Sequence, residues 1–185
     1  MTSVRGRVRW WIERWAHHLG DNVLEVGSRA DVANAWWINN RDLATGHWLG
    51  IDMQHGENVD EVHDVACLPM SWEDRFTGVL CSEVMEHLVD PWMAAKEMHR
   101  VLMPGGWLIV TTLFAFPEHG YPHDYFRFTQ RGLRTVLEFA GFTEIQTEYS
   151  EQAIHLVLDD HGEGAIHHRD MPMHVYAVAQ KKEAP

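Results

Sequence analysis

Short apolar runs alternate along this chain with stretches whose apolar residues recur at helical spacing. One run, at 22–26, ends before Gly27, and a second run, at 47–52, ends on Asp52. Short apolar runs bounded by turn residues are typical of buried strands, whereas an i, i+3, i+4 pattern is typical of amphipathic helices. The pattern therefore predicts that strands and helices alternate along the chain.

Seven strands and four helices follow from this pattern. Strands are predicted at 22–26, 47–52, 59–65, 76–82, 107–113, 143–149 and 174–180. Helices are predicted at 3–19, 31–44 and 91–102, and a last helix runs from Thr129, its N-cap, to Ala140. Asp90 before Pro91 is a second N-cap signal, and Gly141 is a helix-ending signal.

This alternation predicts one α/β domain over 1–185, a Rossmann-like doubly wound sheet of seven strands. Strands that alternate with helices pair in parallel through right-handed crossovers. The last two strands have no helical pattern between them, so the last strand is expected to be antiparallel. Residues 150–173, which separate them, are polar and rich in histidine, and we expect an inserted loop or hairpin there.

The net charge of −12 disfavours a broad nucleic-acid surface or an anionic membrane as a partner. Arg5, Arg7, Arg9 and Arg14 are a local exception near the N-terminus. They fit either a solvated helix face or an arm that binds an anionic substrate.

Cys67 and Cys81 are the only cysteines, so no disulfide framework or CxxC metal site is expected. No stretch has the length and apolar character of a membrane span, and the N-terminus lacks the apolar core of a signal peptide. We therefore expect a soluble, cytoplasmic protein.

A strand, a glycine turn and a second strand that ends on an acidic residue form the outline of a nucleotide site. Gly27-Ser28-Arg29-Ala30 is the turn, and Asp52 is the acidic residue. A phosphate-bearing cofactor such as NADP needs phosphate-binding glycines and cationic partners, whereas this edge offers carboxylates. A cationic cofactor is compatible with such surroundings.

The order of these features resembles that of class I S-adenosylmethionine-dependent methyltransferases, from about Asn22 to the C-terminus. VLEVGSR, LGIDMQ and VHDVACLP resemble the first three motifs of the family. CSEVMEHLVDP followed by MHRVLMPGGWLIVTT is the most specific part of the resemblance. The first motif departs from the usual two or three glycines: Ser28 and Ala30 stand where further small residues are common, and Arg29 adds bulk.

The resemblance implies a set of cofactor-binding residues. Asp52 would hold the ribose hydroxyls, Asp64 would meet the adenine amino group, and Glu25 and Gly27 would line the methionine end. Arg29 would either contact the cofactor carboxylate or fold over the strand. The full implied set is Glu25, Gly27, Ser28, Asp52, Met53, Asp64, Val65 and Ser82.

Glu83, Glu86 and His87 form an E-x-x-E-H motif after the fourth predicted strand. If Glu83 opened a helical turn, all three side chains would share one face, and His119 or His123 would add an imidazole. Such oxygen and nitrogen ligands suit Mg²⁺, Mn²⁺ or Zn²⁺. Ubiquinone-biosynthesis and small-RNA methyltransferases of the family hold a metal with a similar motif, whereas in metal-free members the same residues pack and cap.

The loop over 114–128 follows the fifth predicted strand at the edge where α/β sheets bind ligands. His119, His123 and Asp124 are its candidate catalytic residues, because a neutral imidazole beside a carboxylate can take a proton from an acceptor. Its end, H-D-Y-F-R-F-T, resembles a loop of methyltransferases that modify glycans and nucleotides.

Together these features predict methyl transfer from S-adenosylmethionine to an oxygen or nitrogen of a small molecule, sugar or nucleotide. The alternatives are a non-catalytic S-adenosylmethionine-binding subunit, motivated by the altered glycine motif, and a nicotinamide-dependent oxidoreductase. Little chain is available for recognition of the acceptor, so we expect its site to be shallow or completed by a second subunit of a homo-oligomer.

Overall fold

The computed structural model of the chain describes residues 4–30, 39–43, 46–120, 123–151, 153–159 and 166–183. The strands are β1 Asn22–Val26, β2 His47–Asp52, β3 Glu61–Val62, β4 Phe76–Ser82, β5 Leu102–Leu113, β6 Thr143–Tyr149, β7 Ala153–Asp159, β8 Ile166–Pro172 and β9 His174–Gln180. The α-helices are α1 Val4–Trp15, α2 Pro91–Val101 and α3 Gln130–Ala140.

Seven strands form the main sheet, in the order β3-β2-β1-β4-β5-β9-β6. β1 to β5 pair in parallel, and β9 lies antiparallel between β5 and β6. This arrangement confirms the predicted seven-stranded, mostly parallel sheet with an antiparallel last strand.

Helices cover both faces of this sheet. On one face α1 packs Val8, Trp11 and Ile12 against residues of the central strands such as Leu80 and Ile109. On the other face, α2 and α3 complete a larger apolar cluster with β1, β4 and β5. The carboxyl ends of the parallel strands lie at the edge of the sheet between these two layers.

The helix ends follow the predicted capping chemistry. Asp90 Oδ1 accepts a hydrogen bond from the Met93 N–H at 2.9 Å, and Pro91 occupies the first turn of α2. Thr129 Oγ1 accepts from the Gly132 N–H at 3.0 Å at the start of α3. Gly141 ends α3 in the left-handed conformation, with φ of 103°.

Two predicted strands have wrong limits. The predicted strand at 59–65 is reduced to Glu61–Val62, because the two aspartates beside it accept hydrogen bonds through their side chains: Asp60 from the Gly50 N–H of β2, and Asp64 from the Ala66 N–H. β5 begins at Leu102 instead of 107, because Leu102 pairs with Phe76 before an irregularity in the register.

The 150–173 insertion is a hairpin, since β7 and β8 form a separate two-stranded antiparallel sheet.

Most of the predicted helix at 31–44 lies outside the described residues, and its described part forms a single 3₁₀ turn at Arg41–Leu43. No helix in the described ranges has both the length and the apolar character needed to cross a membrane.

The N-cap of α3 gives a test of this local structure. We expect Thr129→Ala to lower the free energy of unfolding by about 1 kcal/mol, because the N-terminal N–H groups of the helix lose an acceptor. Thr135→Ala, an equally exposed site inside the same helix, is the matched control; it should leave stability unchanged or raise it by up to ~0.7 kcal/mol. Urea unfolding followed by circular dichroism measures both, and equal effects would contradict the capping role.

Candidate active site

The carboxyl ends of β1, β2 and β4 bring together the turn after β1, Asp52 and Ser82. Gly27 has φ of 74°, and a Cβ at this position would overlap Cγ2 of Val84. The N–H groups of Gly27 and Ser28 both donate to the Ile51 carbonyl, at 2.8 and 3.0 Å. The turn is therefore folded over the end of β2, and a glycine at position 27 is required by backbone conformation and by space.

Asp52 is half-buried at the end of β2. Its Oδ1 accepts a hydrogen bond from the Gln54 N–H at 2.9 Å, and the Arg29 Nε lies 3.8 Å from the same oxygen. The stem of Arg29 lies over Gly56, where a Cβ would approach Cγ of Arg29 to 2.6 Å. Arg29 thus folds over the end of the sheet, which is one of the two arrangements expected for it.

The remaining predicted cofactor residues at this edge differ in accessibility. Met53 is 65% exposed, and Asp64 is exposed with its Oδ1 bound to the Ala66 N–H. Ser82 is half-buried, and its hydroxyl lies 2.9 Å from that of Thr111. Val65 belongs to the apolar core, so only its backbone can face a ligand.

Glu25 is buried, and both of its carboxylate oxygens are occupied. Oε1 accepts from the Asn40 Nδ2 at 3.0 Å, and Oε2 accepts from the Trp48 Nε1 at 2.8 Å. Burial raises the pKa of Glu25, although the two hydrogen bonds act in the opposite direction. The Glu25 side chain therefore joins β1 to β2 and to the segment at 39–43 through hydrogen bonds.

The E-x-x-E-H residues do not share one helical face. Glu83 has φ of 55° and does not open a helical turn; its N–H donates to the Thr111 carbonyl. Its Oε2 lies 3.3 Å from the His174 Nε2 on β9. The 3₁₀ turn begins only at Met85, so Glu86 and His87 lie together while Glu83 is directed elsewhere.

Glu86, His87 and His119 form a compact group of metal-type ligands, with one ligand atom of each within 4.8 Å of the others. Glu86 is fully buried; its Oε2 accepts from the Thr112 hydroxyl at 2.7 Å, and its Oε1 has no hydrogen-bond partner in the part of the chain that the structure describes. The His87 Nε2 lies 3.9 Å from that Oε1. Burial, and secondarily the charge of Glu83, raises the pKa of Glu86.

Both imidazoles of this group are oriented through Nδ1. The His87 Nδ1 lies 2.6 Å from the His123 carbonyl oxygen, and the His119 Nδ1 lies 2.9 Å from Asp124 Oδ2. A carbonyl or carboxylate at Nδ1 fixes the proton there in the neutral ring and leaves the Nε2 lone pair available. This is the arrangement of histidines that ligate metals.

Asp124 is an orienting group. Its side chain is 2% exposed, and it accepts hydrogen bonds from Arg127 at 2.5 and 2.6 Å and from the His119 backbone N–H at 2.8 Å. The Arg127 guanidinium holds the pKa of Asp124 well below its usual range. The lone pairs of Asp124 are therefore engaged, and its carboxylate orients the His119 imidazole.

A cavity of about 590 Å³ lies beside this group. It is lined by Glu118, His119, Gly120, His123, Asp124 and Tyr125. Three of the lining residues carry rings: the His123 and Tyr125 ring centroids are 5.7 Å apart, and the His119 ring lies 5.1 Å from that of Phe116. The three predicted catalytic residues thus line one cavity.

Comparisons with known proteins show similarity to methyltransferases. Residues 47–110 match the family model described as a methyltransferase domain, of type 11. The chain is 25% identical over 179 residues to the ubiquinone biosynthesis O-methyltransferase of Paraburkholderia xenovorans, covering 82% of this chain and 75% of the relative. It is 25% identical over 119 residues to the protein of the same description from Pseudomonas syringae pv. tomato, and this match covers 58% of the chain and 51% of the relative. The chain thus spans about half the length of this relative and of several others.

Solved structures share the fold. A SAM-dependent methyltransferase from Archaeoglobus fulgidus is similar with a TM-score of 0.65 at 16% identity, covering 96% of this chain and 94% of that one. The 1,6-didemethyltoxoflavin-N1-methyltransferase of Burkholderia thailandensis, solved with 1,6-didemethyltoxoflavin and S-adenosylhomocysteine, is similar with a TM-score of 0.64 at 14% identity, covering 98% and 80%. In sequence over 47–110 and in fold, the chain is similar to class I S-adenosylmethionine-dependent methyltransferases of type 11.

The buried Glu25 predicts a pH dependence of stability. A carboxyl group whose pKa is raised on folding from the ordinary 4.5 favours the folded state at low pH, and this contribution is lost as pH rises above that value. We expect the free energy of unfolding of Glu25→Gln, relative to the unsubstituted chain, to increase from about pH 5 to about pH 8. Urea unfolding at several pH values measures this difference; Glu57→Gln, at an exposed position, is the control and should show no such trend.

Proposed function

We propose that this methyltransferase transfers the methyl group of S-adenosylmethionine to a hydroxyl oxygen of a small aromatic acceptor. The observation that carries the proposal is the group Glu86, His87 and His119, which lies beside a cavity lined by further polar and aromatic side chains. The relatives named ubiquinone biosynthesis O-methyltransferases favour oxygen as the reacting atom.

In the proposed complex the cofactor lies across the carboxyl ends of β1, β2 and β4. Asp52 accepts hydrogen bonds from the ribose hydroxyls, and Gly27 with Ser28 forms the turn below the methionine end. Met53, Asp64 and Val65 surround the adenine, and Ser82 faces the reacting end. Glu25 stabilises the site by joining β1 to β2, because both of its carboxylate oxygens are engaged in hydrogen bonds within the protein.

The residues at Glu86, His87 and His119 fit a divalent metal ion. The unpartnered, fully buried Glu86 Oε1 needs a cation or a donor, because an unpaired carboxylate oxygen in the interior is costly. Two imidazoles with their Nδ1 atoms engaged present Nε2 lone pairs beside it. These three side chains would hold the ion, and it would supply a Lewis acid that lowers the pKa of an acceptor hydroxyl.

The chemistry is an in-line displacement. A bond forms between the acceptor oxygen and the methyl carbon as the carbon–sulfur bond breaks, and the electron pair stays on sulfur to give S-adenosylhomocysteine. The acceptor proton passes to His123, whose ring lines the cavity and lies outside the three-residue metal group. The protein therefore contributes mainly orientation and exclusion of water.

Cofactor binding is the first test. We expect S-adenosylhomocysteine to bind the chelator-treated protein in a calorimetric titration, and Asp52→Ala to weaken binding at least ~10-fold, because hydrogen bonds to a charged group contribute about 1.5–3 kcal/mol. Asp21→Ala is the matched control, since Asp21 precedes β1 at the opposite edge of the sheet. Equal affinities for all three proteins would contradict the proposed cofactor site.

Methyl transfer is the second test, with catechol as the probe acceptor and release of S-adenosylhomocysteine as the signal. We expect chelation to abolish the release of S-adenosylhomocysteine and Mg²⁺ to restore it. Glu86→Gln and His119→Ala should each lower the rate of methyl transfer by a factor of ~100 or more, as for a lost catalytic contact. His55→Ala, on an exposed turn, should retain the full rate. Cofactor binding without transfer to catechol or other phenols would favour the non-catalytic alternative.

A further inference from the structure

The cavity beside Glu86, which is the acceptor cavity of the proposed function, offers a ligand negative charge but no positive charge. Glu118 and Asp124 are among the six residues that line it, and no lysine or arginine is among those six. Arg127 reaches this wall only through its ion pair with Asp124. The charge that an acceptor meets therefore depends on what these three side chains already contact.

The guanidinium of Arg127 is fully engaged within the protein. Nη1 donates to Asp124 Oδ1 at 2.5 Å and to the Phe126 carbonyl at 2.7 Å. Nη2 donates to Asp124 Oδ2 at 2.6 Å and to the Pro117 carbonyl at 3.0 Å, and Nε donates to the Phe116 carbonyl at 3.0 Å. These bonds use all five N–H donors of an arginine, so a carboxylate or phosphate of an acceptor would have to break some of them to reach this cation.

Asp124 adds no available charge of its own. Its side chain is buried, and both oxygens accept from Arg127. One of them also accepts from the His119 backbone N–H and faces the His119 ring. The carboxylate and the guanidinium therefore neutralise each other, and the wall that they support carries no net charge at this pair.

Glu118 is the carboxylate of the cavity that remains available. It is exposed and lines the cavity, and its side chain forms no hydrogen bond or ion pair within the described residues. Its backbone is fixed from both sides, because the Pro117 carbonyl accepts from Arg127 and the His119 N–H donates to Asp124. The net charge of −12 has the same sign, so the field of the whole chain also disfavours anions at this cavity.

Tyr125 supplies a second feature that suits a cation. Its side chain lines the same cavity and is exposed, while its backbone N–H is fixed by the Glu86 carbonyl. The face of a tyrosine ring attracts an ammonium group placed over it. A carboxylate and an aromatic face in one cavity are therefore both available to a protonated amine.

We propose that the acceptor is a phenol that carries a protonated amine, and that Glu118 binds this amine and disfavours acceptors with a carboxylate or phosphate. The inference rests on the proposed function and keeps its reacting hydroxyl. Among the acceptor classes compatible with the sequence, it favours amine-bearing small molecules over nucleotides.

The test compares kcat/KM for acceptors that share a catechol ring and differ in charge: 4-(2-aminoethyl)catechol, 4-ethylcatechol and 3-(3,4-dihydroxyphenyl)propionate. We expect the amine to exceed the neutral acceptor by a factor of ~3 and the carboxylate by a factor of ~10, as for an exposed charge pair. High salt should reduce both ratios, because exposed charges are screened.

Variants at Glu118 assign the preference to its charge. Glu118→Gln should lower the amine-to-carboxylate ratio to less than about 2, whereas Glu118→Asp, which keeps the charge, should retain most of it. The ratio is the quantity compared, because a loss common to all acceptors cancels. Glu73→Gln is the matched control: it removes the same charge from an exposed position just before β4, and the ratio should not change.

The other outcomes separate this inference from the proposed function. A preference for the carboxylate would show that Arg127 exchanges its partners for the acceptor. Equal rates, or a preference that persists in Glu118→Gln, would show that Glu118 does not contact the acceptor. Each of these results overturns the inference, while methyl transfer to any of the three acceptors still supports the proposed function.

Calorimetric titration of the same acceptors into the protein bound to S-adenosylhomocysteine measures the preference without turnover. Tightest binding of the amine without methyl transfer would refute the proposed reaction and support the charge preference. Absence of both transfer and binding would refute the acceptor cavity and this inference together.

Discussion

Glu86 is a fully buried carboxylate to which the loops at the carboxyl edge of the sheet are tied. Its backbone carbonyl accepts the N–H groups of Tyr125 and Phe126, and its Oε2 accepts the Thr112 hydroxyl at the end of β5. The segment over 123–128 is thereby fixed to the turn after β4. Burial of this group costs free energy, and its second oxygen has no hydrogen-bond partner among the described residues, which is why the proposed function places a cation beside it.

Two carboxylate–imidazole pairs flank Glu86. In one, Asp124 fixes the His119 ring and is itself neutralised by Arg127; in the other, His174 faces Glu83. One member of each pair, Asp124 or His174, is buried in packed surroundings, and a buried partner restricts the orientation of the more exposed member before a ligand binds.

The order of the strands explains why these residues meet. β4, β5 and β9 are neighbours, and β9 runs against the other two, so the last residues of β4 and β5 lie beside the first residue of β9. Glu83 and His174 are far apart in sequence and become neighbours only through this order. The antiparallel strand therefore contributes to the site as well as to the sheet.

The sequence by itself determined most of the sheet, because the alternation of apolar runs and helical patterns, together with the caps at Asp90 and Thr129, depends on local chemistry. It also identified His119 with Glu86 and His87, since the resemblance places both segments at one edge of the sheet. It extended the strand at 59–65 too far, because side-chain hydrogen bonds of Asp60 and Asp64 compete with strand pairing. Only the tertiary structure decided that Glu83 leaves the face of Glu86 and pairs with His174, because a left-handed φ and a contact across β5 depend on packing between strands that no local pattern encodes.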